Sequence, residues 1–356
     1  MNTTKLGRTA KPSIYFITLL LGATLLSACA LAPEYQPSTA ASEPDNQVPS
    51  EASPGISEAT VESEEPKSNA TPPAIESSPE SLPEPEVSLS FFGLPKPDVD
   101  YGVIDLCEEI SKKLGSVSTQ DCLNQHMYSN GGFSVLGRPI ALREYPELPT
   151  REALGRVLLI GGIHGDEYSS VSIMFKWMEI LNEFHTGVFH WNFVPVTNPD
   201  GLLREDSRRQ NENGVDLNRN FPSADWNDSA ESFWLDNTDS NERRYPGEQG
   251  GSEPEVAWLV DHIKNFQPDV IISVHAPYHL VDYDGPPEAP DQLGNLQLNR
   301  LGVYPGSLGN YAGVDLDKPI VTIELPYAGI MPSESQISEM WTDLVAWLIQ
   351  ERTKDR

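Results

Sequence analysis

Basic side chains are scarce in this chain of 356 residues: 24 Lys and Arg stand against 53 Asp and Glu, a formal net charge of −29. That balance excludes sequence-independent nucleic-acid binding, which needs a basic surface to neutralise phosphates. Long apolar runs are missing too. The run at residues 14–26, about 13 residues, is too short to cross a hydrocarbon layer of about 30 Å as a helix. A hydrophobic content of 38% is too low for a multispan membrane protein and ample for one soluble core. Cysteines number only three, at positions 29, 107 and 122.

What is present divides unevenly. Residues 1–32 carry Lys5, Arg8 and Lys11 and no acid, residues 33–86 hold 11 Glu and 1 Asp against 1 Lys, and residues 87–356 hold 41 acids and 20 bases. The basic stretch, the short apolar run and the string Leu26-Ser27-Ala28-Cys29 resemble a bacterial lipoprotein export signal. The resemblance implies removal of residues 1–28 and lipidation of Cys29, with acyl chains as the only membrane attachment. Ala30, rather than an acid, after the cysteine points by the same resemblance to the outer membrane of a bacterial envelope, facing the periplasm. Residues 33–86 also contain 11 Pro and 10 Ser. Such a composition cannot bury enough apolar surface to offset its ordering entropy. The stretch 29–97 therefore reads as a lipidated, disordered tether, whose Pro/Ser/Glu-rich part spans about 40 Å on average as a flexible coil. In an exported chain disulfides persist, and with Cys29 lipidated the remaining pair, Cys107 and Cys122, reads as a disulfide within a small N-terminal addition at 98–133.

From about residue 98 onward, short β-branched runs alternate with helical patterns, which indicates an α/β fold with a mainly parallel mixed sheet flanked by helices. Four uninterrupted runs read as strands buried on both faces: Val157-Leu158-Leu159-Ile160, residues 189–196, Val270-Ile271-Ile272-Ser273-Val274, and Ile320-Val321-Thr322-Ile323. Helices are expected over 168–184, 254–266 and 334–351. Each strand run leads to a chemically capable residue: His164, Asn198, His275 and Glu324. Ligands of open α/β sheets bind beyond the carboxyl ends of the strands, so these four are expected to converge. His164-x-x-Glu167, at a strand-to-helix turn, offers nitrogen and oxygen donors for one zinc ion, with His275 as a third ligand.

This constellation resembles the zinc carboxypeptidases of the carboxypeptidase A type over residues about 134–340. The resemblance rests on Gly162-Ile163-His164-Gly165-Asp166-Glu167, Asn198-Pro199-Asp200-Gly201, Gly214-Val215-Asp216-Leu217-Asn218-Arg219-Asn220-Phe221-Pro222, Ser273-Val274-His275 and Thr322-Ile323-Glu324-Leu325. It implies a catalytic domain at 134–356 holding one Zn2+ on His164, Glu167 and His275, with Glu324 as general base. Asn218 and Arg219 resemble the pair that grips a free carboxylate beside the scissile bond. Arg209 resembles the arginine that stabilises the oxyanion, with Arg208 as the alternative.

The compact loop before Gly214, the string Val281-Asp282-Tyr283-Asp284-Gly285-Pro286 and the segment from Tyr304 to Gly313 resemble the murein peptide amidase branch. That branch hydrolyses the bond between γ-D-glutamate and diaminopimelate in cell-wall peptides. It implies such a peptide as substrate. A monomer is expected. Tyr311 is the candidate for a substrate-binding tyrosine, and Asp282 or Asp284 for a group that meets the ammonium end of diaminopimelate. The alternatives are a general metallocarboxypeptidase, an N-acyl amino-acid deacylase and an inactive wall-binding lipoprotein.

Overall fold

The four β-type runs become strands of one sheet in a computed structural model that describes residues 100–286 and 288–354. The expected export signal, the Cys29 lipidation site and the tether lie outside the described residues. In chain order the strands are β1 (Tyr128–Phe133), β2 (Pro139–Tyr145), β3 (Arg156–Ile160), β4 (His190–Val194), β5 (Val270–His275), β6 (Leu280–Asp284), β7 (Gln292–Leu293), β8 (Leu296–Leu298) and β9 (Ile320–Glu324). The helices are α1 (Tyr101–Lys113), α2 (Thr119–Leu123), α3 (Tyr168–Phe184), α4 (Pro199–Leu203), α5 (Trp226–Asn237), α6 (Pro254–Phe266) and α7 (Glu334–Thr353).

The sheet order is β1-β2-β4-β3-β5-β9-β6-β8-β7. Its centre, β4-β3-β5-β9, is parallel, and antiparallel pairings join β2 to β4 and β6 to β9. Alternation along each central strand feeds two apolar layers. Val157 and Leu159 join the layer under α3 and α7, while Leu158 and Ile160 join the one under α6. Each fully buried aliphatic side chain contributes about 1.5–3 kcal/mol, which is why strands this short hold their register. Trp341 of α7 packs on Trp177 of α3 and Trp191 of β4, with ring centroids 5.6 and 5.1 Å apart. The start of α7 is set by a capping box between Ser333 and Gln336.

Five strands exceed the expected four, β1, β2, β6, β7 and β8. Residues 281–284, which stand among loop-like polar strings, form β6 because Val281 and Tyr283 alternate into the core.

The N-terminal addition is built into the sheet rather than set beside it. β1 pairs with β2, and Asp100 both caps α1 and accepts the Ser129 N–H of β1 at 2.9 Å. Cys107 and Cys122 form a disulfide joining α1 to α2, 15 positions apart. Lys113 at the end of α1 donates to the carbonyls of Arg204 and Glu205, both at 2.8 Å. Arg138 bridges Glu109 of α1 at 3.0 Å and the fully buried Asp200 of α4 at 2.9 Å. On the loop-closure model, replacing both cysteines with alanine should lower unfolding stability by about 3 kcal/mol, measured by urea denaturation.

Candidate metal centre and substrate cavity

Parallel register delivers the chemistry to one edge. Ile160 of β3 lies opposite Ser273 of β5, and His275 opposite Glu324 of β9. β5 and β9 therefore end together with His275 and Glu324 side by side, while β3 turns through Gly161-Gly162 to present His164. At Gly165 the chain passes so close to α4 that a Cβ would stand 2.1 Å from the Gly201 carbonyl carbon, so only glycine fits. Glu167 occupies the N-cap position of α3 without capping it. Its carboxylate turns instead to the two histidines.

His164 Nδ1 lies 2.7 Å from Glu167 Oε1, and His275 Nδ1 lies 3.0 Å from Glu167 Oε2 and 3.1 Å from His164 Nδ1. All three residues are buried, and their ligand atoms fall within 4.8 Å of one another. Two ring nitrogens and a carboxylate aimed at a common point are the donor set that zinc prefers, so the residues present fit such an ion. The outer ring nitrogens are held as well: His164 Nε2 by Asp216 at 3.2 Å, His275 Nε2 by Ser273 Oγ at 3.0 Å. Such contacts fix the tautomer and orientation of metal-ligating histidines.

Charges here are far from their ordinary state. Burial opposes ionisation of Glu167, but His164 and His275 outweigh it and hold the carboxyl well below the usual range. Burial likewise acts against Asp216, and Arg209 and His164 overcome it, so it too stays ionised. Glu324 moves the other way. Burial first, and the Glu167 charge second, raise it well above an ordinary glutamate, opposed by the Tyr278 N–H at 3.4 Å and by Arg209. Two carboxylates in one site are thus driven apart in proton affinity, the arrangement that separates a ligand from a proton acceptor.

The arginines sort themselves by partner. Arg209 donates from Nε to Asp216 Oδ2 at 2.8 Å, places Nη1 3.6 Å from Glu167 and lines the cavity. Arg208 turns away to the carbonyls of Asn211 and Glu212. Arg204 pairs with Glu212 at 3.4 Å. Arg219 is buried on the cavity wall with its guanidinium 4.5 Å above the Tyr304 ring. Asn218, also on the wall, accepts the Leu308 N–H at 2.8 Å.

The cavity encloses about 970 Å³ and is shared by His164, Glu167, His275, Glu324, Arg209 and Arg219. Two expected residues do not face it. Asn198 lies behind the site, donating from Nδ2 to the carbonyls of Arg209 at 3.1 Å and Ile163 at 3.3 Å. It orients its neighbours instead of converging with them. Tyr311 sits in the second apolar layer, stacked on Phe221 with centroids 5.9 Å apart, because the π-helical turn Gly309–Asp315 directs it inward. The sequence motifs do not reveal the part played by Asp216, within residues 214–222, or by Tyr304, whose ring supports Arg219. An acid amid Val215 and Leu217 was the available signal for the first; none existed for the second.

The zinc carboxypeptidase family model matches residues 119–300. Murein peptide amidase A of Escherichia coli strain K12 is 32% identical over 232 residues, 63% of this chain and 90% of that protein. Murein peptide amidase A of Vibrio campbellii is 30% identical over 203 residues, 55% and 77% respectively. The crystal structure of carboxypeptidase A from Helicoverpa armigera superposes with a TM-score of 0.52 at 17% identity, covering 70% of this chain and 72% of that one.

Replacing Asp216 with Asn should weaken zinc retention by about 10–100-fold, because it frees His164 Nε2; competition with a chelator measures this. A second expectation concerns the loop carrying Arg208 and Arg209. Asn211 Nδ2 ties that loop to Glu253 at 2.7 Å and Glu255 at 3.1 Å. Burial pushes Glu255 up to about 7 from 4.5. Its folded form holds a proton that the unfolded chain gives up, so its contribution is complete below pH 4.5 and is lost as pH rises to about 7. Relative to wild type, Glu255→Gln should gain on the order of 1–2 kcal/mol between pH about 5 and about 8, read from unfolding curves at each pH.

Proposed function

The chain belongs to the zinc carboxypeptidase family, and from that premise we propose that it hydrolyses the amide bond between γ-D-glutamate and diaminopimelate in peptidoglycan peptides. It is a hydrolytic enzyme with one zinc ion as cofactor. The observation that carries the substrate reading is the 32% identity to a murein peptide amidase over 90% of that protein's length. The cavity agrees with it. A C-terminal residue bearing a free carboxylate meets Asn218 and Arg219, which line the cavity together with Glu324.

The roles follow from position. His164, Glu167 and His275 hold the zinc. An ion held there would supply polarisation of the scissile carbonyl and a water acidified towards neutral pH. Glu324, buried beside His275 with raised proton affinity, takes the proton from water and returns it to the departing amine. Arg209, fixed by Asp216, directs its remaining N–H groups at the oxygen that gains charge. Arg219, its guanidinium over the Tyr304 ring, binds the terminal carboxylate with Asn218.

We propose further that Cys29 is lipidated after removal of residues 1–28 and that residues 29–97 tether a monomeric enzyme to the outer membrane, facing the periplasm. The Leu26-Ser27-Ala28-Cys29 string and the acidic, proline-rich segment support this. An enzyme so placed meets the cell wall directly.

The test uses the zinc-loaded full chain in detergent with L-Ala-γ-D-Glu-diaminopimelate. Free diaminopimelate should appear by mass spectrometry, and chelation should abolish it. Glu324→Gln should lower kcat by about 10²–10⁴-fold while zinc content stays near one per chain. Trimming of ordinary peptides ending in Leu or Lys, with the wall peptide intact, would replace this reading with a general carboxypeptidase.

A further inference from the structure

The loop that carries Arg209 is held from outside the cavity, by the first turn of α6. Asn211, two positions after Arg209, is fully buried, and every polar atom of its side chain is engaged. Its Oδ1 accepts the Val215 N–H at 3.1 Å, which closes the loop on itself just before Asp216. Its Nδ2 donates to Glu253 Oε2 at 2.7 Å and to Glu255 Oε2 at 3.1 Å. Asn213 Nδ2 adds a bond to the same Glu253 oxygen at 2.8 Å. Arg209 thus lies between two fixed points: Asp216, which takes its Nε, and Asn211, which is anchored in α6.

Neither acid serves the helix it stands on. Glu253 occupies the N-cap position of α6 without capping it, a place where a short polar side chain normally does so. Glu255, fully buried in the first turn, spends its other oxygen on the Val135 N–H at 3.2 Å. Among the described residues neither carboxylate forms an ion pair; the bonds they accept come from amide groups and the Ser252 hydroxyl. Burying two acids so close together is unfavourable, and an apolar residue would fill either place at less cost. Burial, with the charge of Asp200 adding to it, raises Glu255 to about 7, so the two can meet one amide without both being charged. Glu253 also acts through its main chain. Its N–H donates to Oδ1 of Asn220, the residue after Arg219, at 3.1 Å. The carboxylate of one residue therefore serves the Arg209 loop while its backbone serves the Arg219 turn.

We propose that Glu253 and Glu255 are positioning residues for hydrolysis: acting through Asn211, they set where the Arg209 guanidinium stands when the scissile carbonyl oxygen gains charge. The assignment rests on the oxyanion role proposed above for Arg209 and on no particular substrate. Neither acid lines the cavity, so their influence on the reaction travels through the loop. An oxyanion donor acts chiefly in the transition state, so a displaced Arg209 lowers kcat. Arg219 keeps its turn when the Glu253 side chain is changed, because the bond to Asn220 belongs to the backbone. KM is therefore spared.

The test measures kcat and KM of the zinc-loaded full chain on the wall tripeptide, or on an ordinary peptide ending in Lys if that is the one cleaved. Failure of the wall-peptide reading thus leaves the positioning role to be judged separately. Glu253→Leu, which keeps the bulk and removes the acceptors, should lower kcat by about 10²-fold with KM and zinc content unchanged. Glu255→Leu should lower kcat in the same way. Glu253→Gln, which keeps an acceptor for the two asparagine amides, should hold kcat near wild type. The deciding arm is a double-mutant cycle: in an Arg209→Ala background, neither Leu substitution should slow the reaction further. Losses that multiply with that of Arg209→Ala would overturn the proposal, and so would wild-type kcat in either Leu variant. A Glu253→Gln enzyme as slow as Glu253→Leu would overturn it too. Wild-type kcat in Arg209→Ala would do the same, since nothing would remain to be positioned. Should a Leu variant not fold, the matching Asp variant, which draws the carboxylate one methylene back from Asn211, enters the same cycle and the same outcomes decide.

Discussion

One buried carboxylate ties the site together. Asp216 is fully enclosed, and its two oxygens engage His164 Nε2, Arg209 Nε and the Asn218 N–H. Through it the orientation of His164, of Arg209 and of the turn bearing Asn218 and Arg219 become a single geometric problem. Each contact also compensates the others electrically. Arg209 and His164 make it possible to bury Asp216 ionised, and Asp216 makes it possible to bury Arg209. Removing any member leaves an uncompensated charge in low dielectric, which is why such networks hold or fail as units.

Against that anchored half of the cavity stands a half with the opposite economy of charge. Glu324, Asp282 and Asp284 line the wall built from β9 and β6, and all three are raised in proton affinity chiefly by burial. The arginine-bearing loops and the acidic strands face each other across one space.

Much of this was legible in the residues. His164, His275 and Glu324 each follow an apolar run that has to be a buried strand, and parallel strands buried on both faces end at a common edge, so position in the chain already implied proximity in space. Other features depended on tertiary detail. β6 is hidden in the sequence because its polar positions, Asp282 and Asp284, make a strand resemble a solvated loop; half-buried strands alternate, and here the polar face lines a cavity. Tyr311 was expected at the substrate, yet a π-helical turn, which leaves no periodicity in so short a segment, rotates it into the core. Asn198 was expected to converge with the ligands and lies one layer back, because its side chain satisfies carbonyls on both sides of it. The difference between Arg208 and Arg209 is a single residue of register in an irregular loop, and only their partners distinguish them.

The contacts made by α1 bear on where the working unit of this chain begins. Similarity of motifs suggests an enzyme that starts near residue 134, with a helical appendage before it. Lys113, however, holds the carbonyls of Arg204 and Glu205, a few residues upstream of Arg209, and Arg138 is shared between Glu109 of the appendage and Asp200 of the Asn198-Pro199-Asp200-Gly201 turn. The disulfide keeps α2 clamped to the same helix. The appendage therefore acts as a splint on the loop that leads to Arg209, from outside the cavity. Were the enzyme held to a membrane through residues 29–97, as proposed, any pull along the chain would arrive first at α1, the helix that braces the loop before Arg209.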